Sequence, residues 1–87
     1  MTDPTAALPN GGSSDKTIDC TGLLCPMPVV NASQALAQMA GGQVLQILAD
    51  DQGVKADFPA LCKGRGYEWL GFVQEGRLVR SFIRKTR

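Results

Sequence analysis

Between Lys16 and Arg84 the apolar residues follow two alternating rhythms, and each switch of rhythm marks an element. Lys16-Thr17-Ile18-Asp19-Cys20 alternates and is rich in strand formers, which predicts a first strand. Thr21-Gly22 then turns the chain. From Pro28 to about Ala40, Val29, Ala32, Leu36, Met39 and Ala40 recur at helical spacing, while Asn31, Gln34 and Gln38 stay mostly off that stripe. Gly41-Gly42 ends this helix. Gln43 to Ala49 is a nearly continuous apolar run of strand length, as a central strand requires. After the turn signal Asp50-Asp51-Gln52-Gly53, Val54, Phe58, Leu61 and Cys62 return to helical spacing towards Arg65. Pro59 interrupts this stretch, so a short first turn and a helix proper from about Phe58 are expected, closed by Gly64 and Gly66. Tyr67 to Gln74 and Arg77 to Arg84 read as two strands of a hairpin joined at Glu75-Gly76.

The order β-α-β-α-β-β predicts an α+β fold, an α/β two-layer sandwich. Right-handed crossovers place both helices on one face of a four-stranded mixed sheet. Residues 1–14 are rich in Pro, Gly, Ser and Thr with Leu8 as the one large aliphatic, and are expected to be a disordered N-terminal tail before a single domain at 15–87. At 44% hydrophobic and 20% charged, the composition is that of an ordinary globular domain.

No segment approaches the roughly 18 apolar residues of a membrane span. The N-terminus has neither the basic region nor the apolar region of a secretory signal. The 3 cysteines, an odd number, do not make a disulfide framework. Together these predict a protein of the reducing cytoplasm. The chain has no histidine, which removes Cys–His nucleophilic pairs, His acid–base catalysis and most metal sites. Net charge is only +1, but Arg77, Arg80, Arg84, Lys85 and Arg87 crowd the C-terminus. They predict one basic end, with Arg77, Arg80, Arg84 and Lys85 as candidate docking charges for a partner surface.

The chemistry centres on Cys25-Pro26-Met27-Pro28. Proline suits the first turn of a helix and pushes the preceding residue towards an extended backbone. The expectation is an extended Cys25 just ahead of a helix that starts at about Pro28. Free N–H groups and the helix dipole there favour an anion, and such sites lower a thiol to roughly 3.5–7.5. A thiolate without a neighbouring base can hold sulfur as a persulfide, exchange disulfides or bind a soft metal. Exchange within the chain needs a resolving Cys-x-x-Cys, which is absent, and Cys20 reaches Cys25 only if the turn folds back. Cys62 lies on an apolar helical stripe and reads as core. A zinc site wants four ligands at short paired spacings, which these cysteines do not supply. Persulfide chemistry needs no histidine.

The run Gly22-Leu23-Leu24-Cys25-Pro26-Met27-Pro28-Val29-Val30 resembles the Cys-Pro-x-Pro signature of the TusA (SirA-like) sulfur-carrier family. The likeness continues through Ala49-Asp50-Asp51, then Asp57, Pro59 and Cys62, and ends in Phe82-Ile83-Arg84-Lys85. It implies a βαβαββ sandwich and Cys25 as the persulfide-bearing, catalytic residue, with Gly22, Leu23, Pro26 and Pro28 shaping the loop and helix start. It implies a cysteine desulfurase or rhodanese-type donor and an acceptor protein's cysteine as partners, with no cofactor, no metal and no direct nucleic-acid contact. Relays of this kind feed tRNA thiolation, sulfur oxidation or thiosulfate use. Thr21 stands where many relatives have a basic residue, and Gln52 where a proline is common. The Gly66-Tyr67 junction lacks a histidine found in several members. Two other readings use different chemistry: a non-catalytic RNA- or protein-binding regulatory module using the basic end, and a redox protein with a Cys20–Cys25 disulfide.

Overall fold

The apolar run Val44–Ala49 is a strand paired on both sides, which is why so little of it is polar. The computed structural model describes residues 14–86, so positions 1–13 of the expected tail lie outside the described residues. The elements are β1 (Lys16–Asp19), α1 (Met27–Ala37), β2 (Val44–Ala49), α2 (Val54–Arg65), β3 (Glu68–Glu75) and β4 (Leu78–Arg84). They form a 4-stranded mixed sheet in the order β1-β2-β4-β3, with β1 parallel to β2 and the other pairs antiparallel.

One core joins the layers. Ala32 and Leu36 of α1 and Phe58 and Cys62 of α2 pack with Leu45, Ile47, Val79 and Ile83 of the sheet. Both helices therefore cover the same sheet face. Burying each large side chain of this set contributes about 1.5–3 kcal/mol. On the opposite face a hydrogen-bonded row crosses all four strands: Gln46 donates to Thr17, Arg80 donates to Gln46, and Arg80 also pairs with Glu75.

The helix boundaries depart from expectation at the start of α2 and at the end of α1. First, α2 starts at Val54, not near Phe58, and carries Pro59 inside it. Proline forfeits one backbone bond, to the carbonyl of Lys55, while Val54 and Phe58 are both buried at the helix start and hold the first turn to the sheet. The Asp51 carboxylate adds an acceptor for the Gly53 N–H (3.0 Å). At the far end Gly66, at φ 78, takes the left-handed cap that only glycine adopts without strain, and its N–H donates to the Cys62 carbonyl. Second, α1 stops at Ala37, because the N–H groups of Gln38 and Met39 bond to the carbonyls of Ala35 and Leu36 in a tighter turn.

Ser81 of β4 points its hydroxyl into the core, where it has no hydrogen-bond partner among the described residues. An unpaired buried hydroxyl costs free energy that alanine avoids. Ser81→Ala is expected to raise stability by about 1 kcal/mol in urea denaturation. A loss of stability would show that the hydroxyl is satisfied.

Candidate functional site

Because β1 and β2 run parallel, with Asp19 opposite Leu48, the segments that follow them emerge at the same end of the sandwich. The first is the turn from Cys20 to Pro26, and the second is Asp50–Gly53. Carboxylates of the second hold the backbone of the first. Gly22 N–H donates to Asp50 Oδ1 (3.1 Å) and Cys25 N–H to Asp51 Oδ2 (3.0 Å). Gly22 sits at φ 81, where a side chain would strain the turn. Thr21 closes the end of β1: its N–H and hydroxyl both donate to Asp19 Oδ1, and they hold that carboxyl below its usual range.

Leu23 packs half-buried against the core, and its N–H donates to the Cys20 carbonyl. Met27 N–H donates to the Leu24 carbonyl (2.8 Å) and Val30 N–H to that of Pro26 (3.0 Å). Pro26 is the N-cap of α1, and Pro28 is buried in its first turn. The helix thus starts one residue before the expected Pro28, and Cys25 lies in a turn rather than in an extended segment. The turn satisfies Met27, and Pro28 has no N–H to lose. The Cys25–Pro26 peptide is cis.

Cys25 is exposed. Partial desolvation, and after it the nearby Asp57 carboxylate and the charge of Asp51, push the thiol above its usual value. A helix N-terminus by itself predicts a lowered thiol, whereas partial desolvation and the carboxylates that the fold brings beside the sulfur act in the opposite direction.

The other two cysteines are free but buried. Cys20 is wholly enclosed; desolvation raises its thiol, partly offset by a hydrogen bond with Asn31. Burial pushes Cys62 up to about 11 from 9.0. A raised value stabilises the fold fully below the unfolded value, and that contribution is lost as pH rises through the folded one. Between pH 9 and 11, wild-type stability is expected to fall by about 1–2 kcal/mol more than that of Cys62→Ala. Parallel urea-midpoint profiles for the two proteins would show that the thiol ionises freely.

The basic residues do not form one end. The register places Val79 opposite Ala49 and Arg84 opposite Val44, so the cations spread along the whole of β4. An extended strand carries its residues apart at about 3.3 Å each, which a count of charges in sequence hides. Arg80 pairs with Glu75 (2.8 Å) and Arg84 with Glu68 (3.2 Å), and Lys85 Nζ donates to the Leu36 carbonyl at the end of α1. Of the four candidate docking charges, Arg77 is the one at the β3–β4 turn, toward the Cys25 end. Its carbonyl accepts from Gln52 Nε2 (2.9 Å), and Gln52 Oε1 accepts from Gln74 (3.0 Å). Gln52 therefore ties the acidic loop to the β3–β4 turn. Arg87 lies outside the described residues.

Asp50, Asp51 and Asp57 are the site residues that the sequence reading left without a role. One signal for two of them was available: a strand parallel to β1 must deliver its following loop next to Cys25.

A family model described as "Sulfurtransferase TusA" matches residues 16–85. The sulfur carrier protein TusA of Allochromatium vinosum is 38% identical over 72 residues, which are 83% of this chain and 95% of that protein. YrkF of Bacillus subtilis is 43% identical over 68 residues, 78% of this chain but only 37% of YrkF, so this chain spans well under half of that relative. Among solved structures, the SirA-like protein of Desulfitobacterium hafniense superposes with a TM-score of 0.73 at 27% identity, covering 83% of this chain and 99% of that one. Among the described residues no helix is long and apolar enough to cross a membrane.

Proposed function

This chain belongs to the sulfurtransferase TusA family, and we propose that it carries sulfane sulfur as a persulfide on Cys25. The observation that carries the reading is that Cys25 alone of the three free cysteines is exposed, on a turn held by Asp50 and Asp51. Cys25, as thiolate, attacks the outer sulfur of a donor's persulfide. A new S–S bond forms to Cys25, the donor's S–S bond breaks, and the donor leaves as its own thiolate. No net oxidation occurs. Discharge is the same exchange, with an acceptor protein's cysteine as nucleophile. Gly22, Leu23, Pro26 and Pro28 set the turn, and Asp51 orients Cys25 through its N–H.

A cysteine desulfurase or a rhodanese-type enzyme is the donor class. The sulfur goes to tRNA thiolation, sulfur oxidation or thiosulfate use, and the free thiols suit the reducing cytoplasm. Of the candidate docking charges, Arg77 is the one beside this turn, while Arg80, Arg84 and Lys85 hold the sheet and the end of α1. The test is intact mass after incubation with a donor enzyme and its substrate. A gain of one sulfur that a thiol reductant removes supports the reading. An unchanged mass with both donor classes would overturn it.

A further inference from the structure

The loop at 50–53 is bonded in two directions. On one side the Asp50 and Asp51 carboxylates accept from the N–H groups of Gly22 and Cys25 (3.1 and 3.0 Å). On the other, Gln52 reaches the turn between β3 and β4. Its Nε2 donates to the Arg77 carbonyl (2.9 Å) and to the Asp50 carbonyl (3.4 Å), and its Oε1 accepts from Gln74 Nε2 (3.0 Å). Gln74 Nε2 also donates to the Gly76 carbonyl (3.0 Å).

Each of these amide nitrogens carries two hydrogens and spends both, which fixes the orientation of both side chains. Turning either amide over would set its oxygen against other carbonyl oxygens. Both glutamines are exposed, and ordering a long exposed side chain costs conformational entropy. Here the ordered pair crosses from the hairpin turn to a loop that is otherwise tied down at its ends, by β2 before it and α2 after it. Asp50 and Asp51, which hold the Cys25 turn, are the two residues just before Gln52.

We propose that Gln52 and Gln74 are positioning residues for Cys25: their amides brace the acidic loop against the β3–β4 turn, and so fix the carboxylates that hold the backbone of the Cys25 turn. The importance of this thiol rests on the carrier reading. The charged groups facing the sulfur are Asp57 of α2 and Asp51 of the loop, both anionic. With the brace in place, Asp51 keeps its charge near the sulfur and occupies the Cys25 N–H. Without the brace the loop moves more widely, the Asp51 carboxylate withdraws for part of the time, and that N–H is free to stabilise the sulfur anion. Both changes favour the thiolate. The brace thus sets how much of Cys25 is nucleophilic at a given pH.

The test is the pH dependence of Cys25 alkylation by iodoacetamide in the full-length protein, followed by intact mass, with the urea midpoint of each variant read from Trp69 fluorescence. Gln52→Met and Gln74→Met keep the length of the side chain and remove its hydrogen bonds. Each is expected to move the midpoint of the rate–pH curve down by about half a unit, which is about threefold faster alkylation below the midpoint. The double variant is expected to shift no further than either single one, because both amides belong to one chain of bonds. A midpoint that stays in place or rises in either single variant would overturn the positioning role, and a lowered urea midpoint beside it would show a purely structural contact. Additive shifts would overturn it too, since two independent effects are not one brace. Iodoacetamide needs no donor enzyme. Failure of the protein to take up sulfur would therefore remove the carrier reading and leave the brace standing.

Discussion

Cys25→Ser, incubated with a cysteine desulfurase and cysteine, is expected to gain no sulfur, while the wild type gains about 32 Da that a thiol reductant removes. The effect is all-or-none because the hydroxyl of serine cannot form the sulfur–sulfur bond that stores the atom. The remaining thiols do not substitute. Cys20 is 0% exposed and Cys62 3% exposed, so a donor's persulfide cannot reach either sulfur. Loss of the thiol leaves the fold intact, since Cys25 is exposed and the turn is held through its backbone N–H. A Cys25→Ser protein that loads at the wild-type rate would move the carrier role to another residue.

Phe58→Ala is expected to cost about 3–5 kcal/mol, the range for truncating a fully buried aromatic residue. Phe58 is wholly buried on α2, with its ring 6.5 Å from that of Trp69 at 43°. Among the described residues it is, with Phe82, one of the two largest fully buried side chains, and it lies in the cluster that joins both helices to the sheet. A small domain has only about 5 kcal/mol or somewhat more to lose, so this variant should be largely unfolded at moderate urea. Asp57 precedes it on the same helix turn, so the placement of that carboxylate near the Cys25 turn is lost with the packing. Trp69 is the one tryptophan, and its fluorescence in urea reports the transition directly. A cost below about 1 kcal/mol would show that the core collapses around the gap instead of leaving a cavity.

Local signals were the legible ones. Alternation at Lys16–Asp19, the apolar run at Val44–Ala49 and the helical stripe of Ala32 and Leu36 each depend on neighbours a few residues away, and each element formed where its rhythm placed it. Pro59 was the exception. A proline penalty is read locally, whereas the anchoring of Val54 and Phe58 against the sheet, which outweighs it, is not. Thr21 and Gln52, noted only as departures from relatives, acquire roles once their partners are visible: Thr21 bonds Asp19, and Gln52 bonds the Arg77 carbonyl twenty-five positions away.

By itself, then, the chain's sequence determined the order of elements, the two-layer sandwich and the location of Cys25 at the first strand-to-helix junction. Periodicity, proline stereochemistry and the absence of histidine are properties of nearby residues or of composition. Only the tertiary structure decided the electrostatics of that junction. Parallel pairing of β1 and β2 brings Asp50 and Asp51 across to the Cys25 turn, α2 adds Asp57 to the thiol, and the antiparallel course of β4 disperses the arginines along the sheet. Charge acts through distance in space, and a parallel crossover sets that distance between residues some thirty positions apart in the chain.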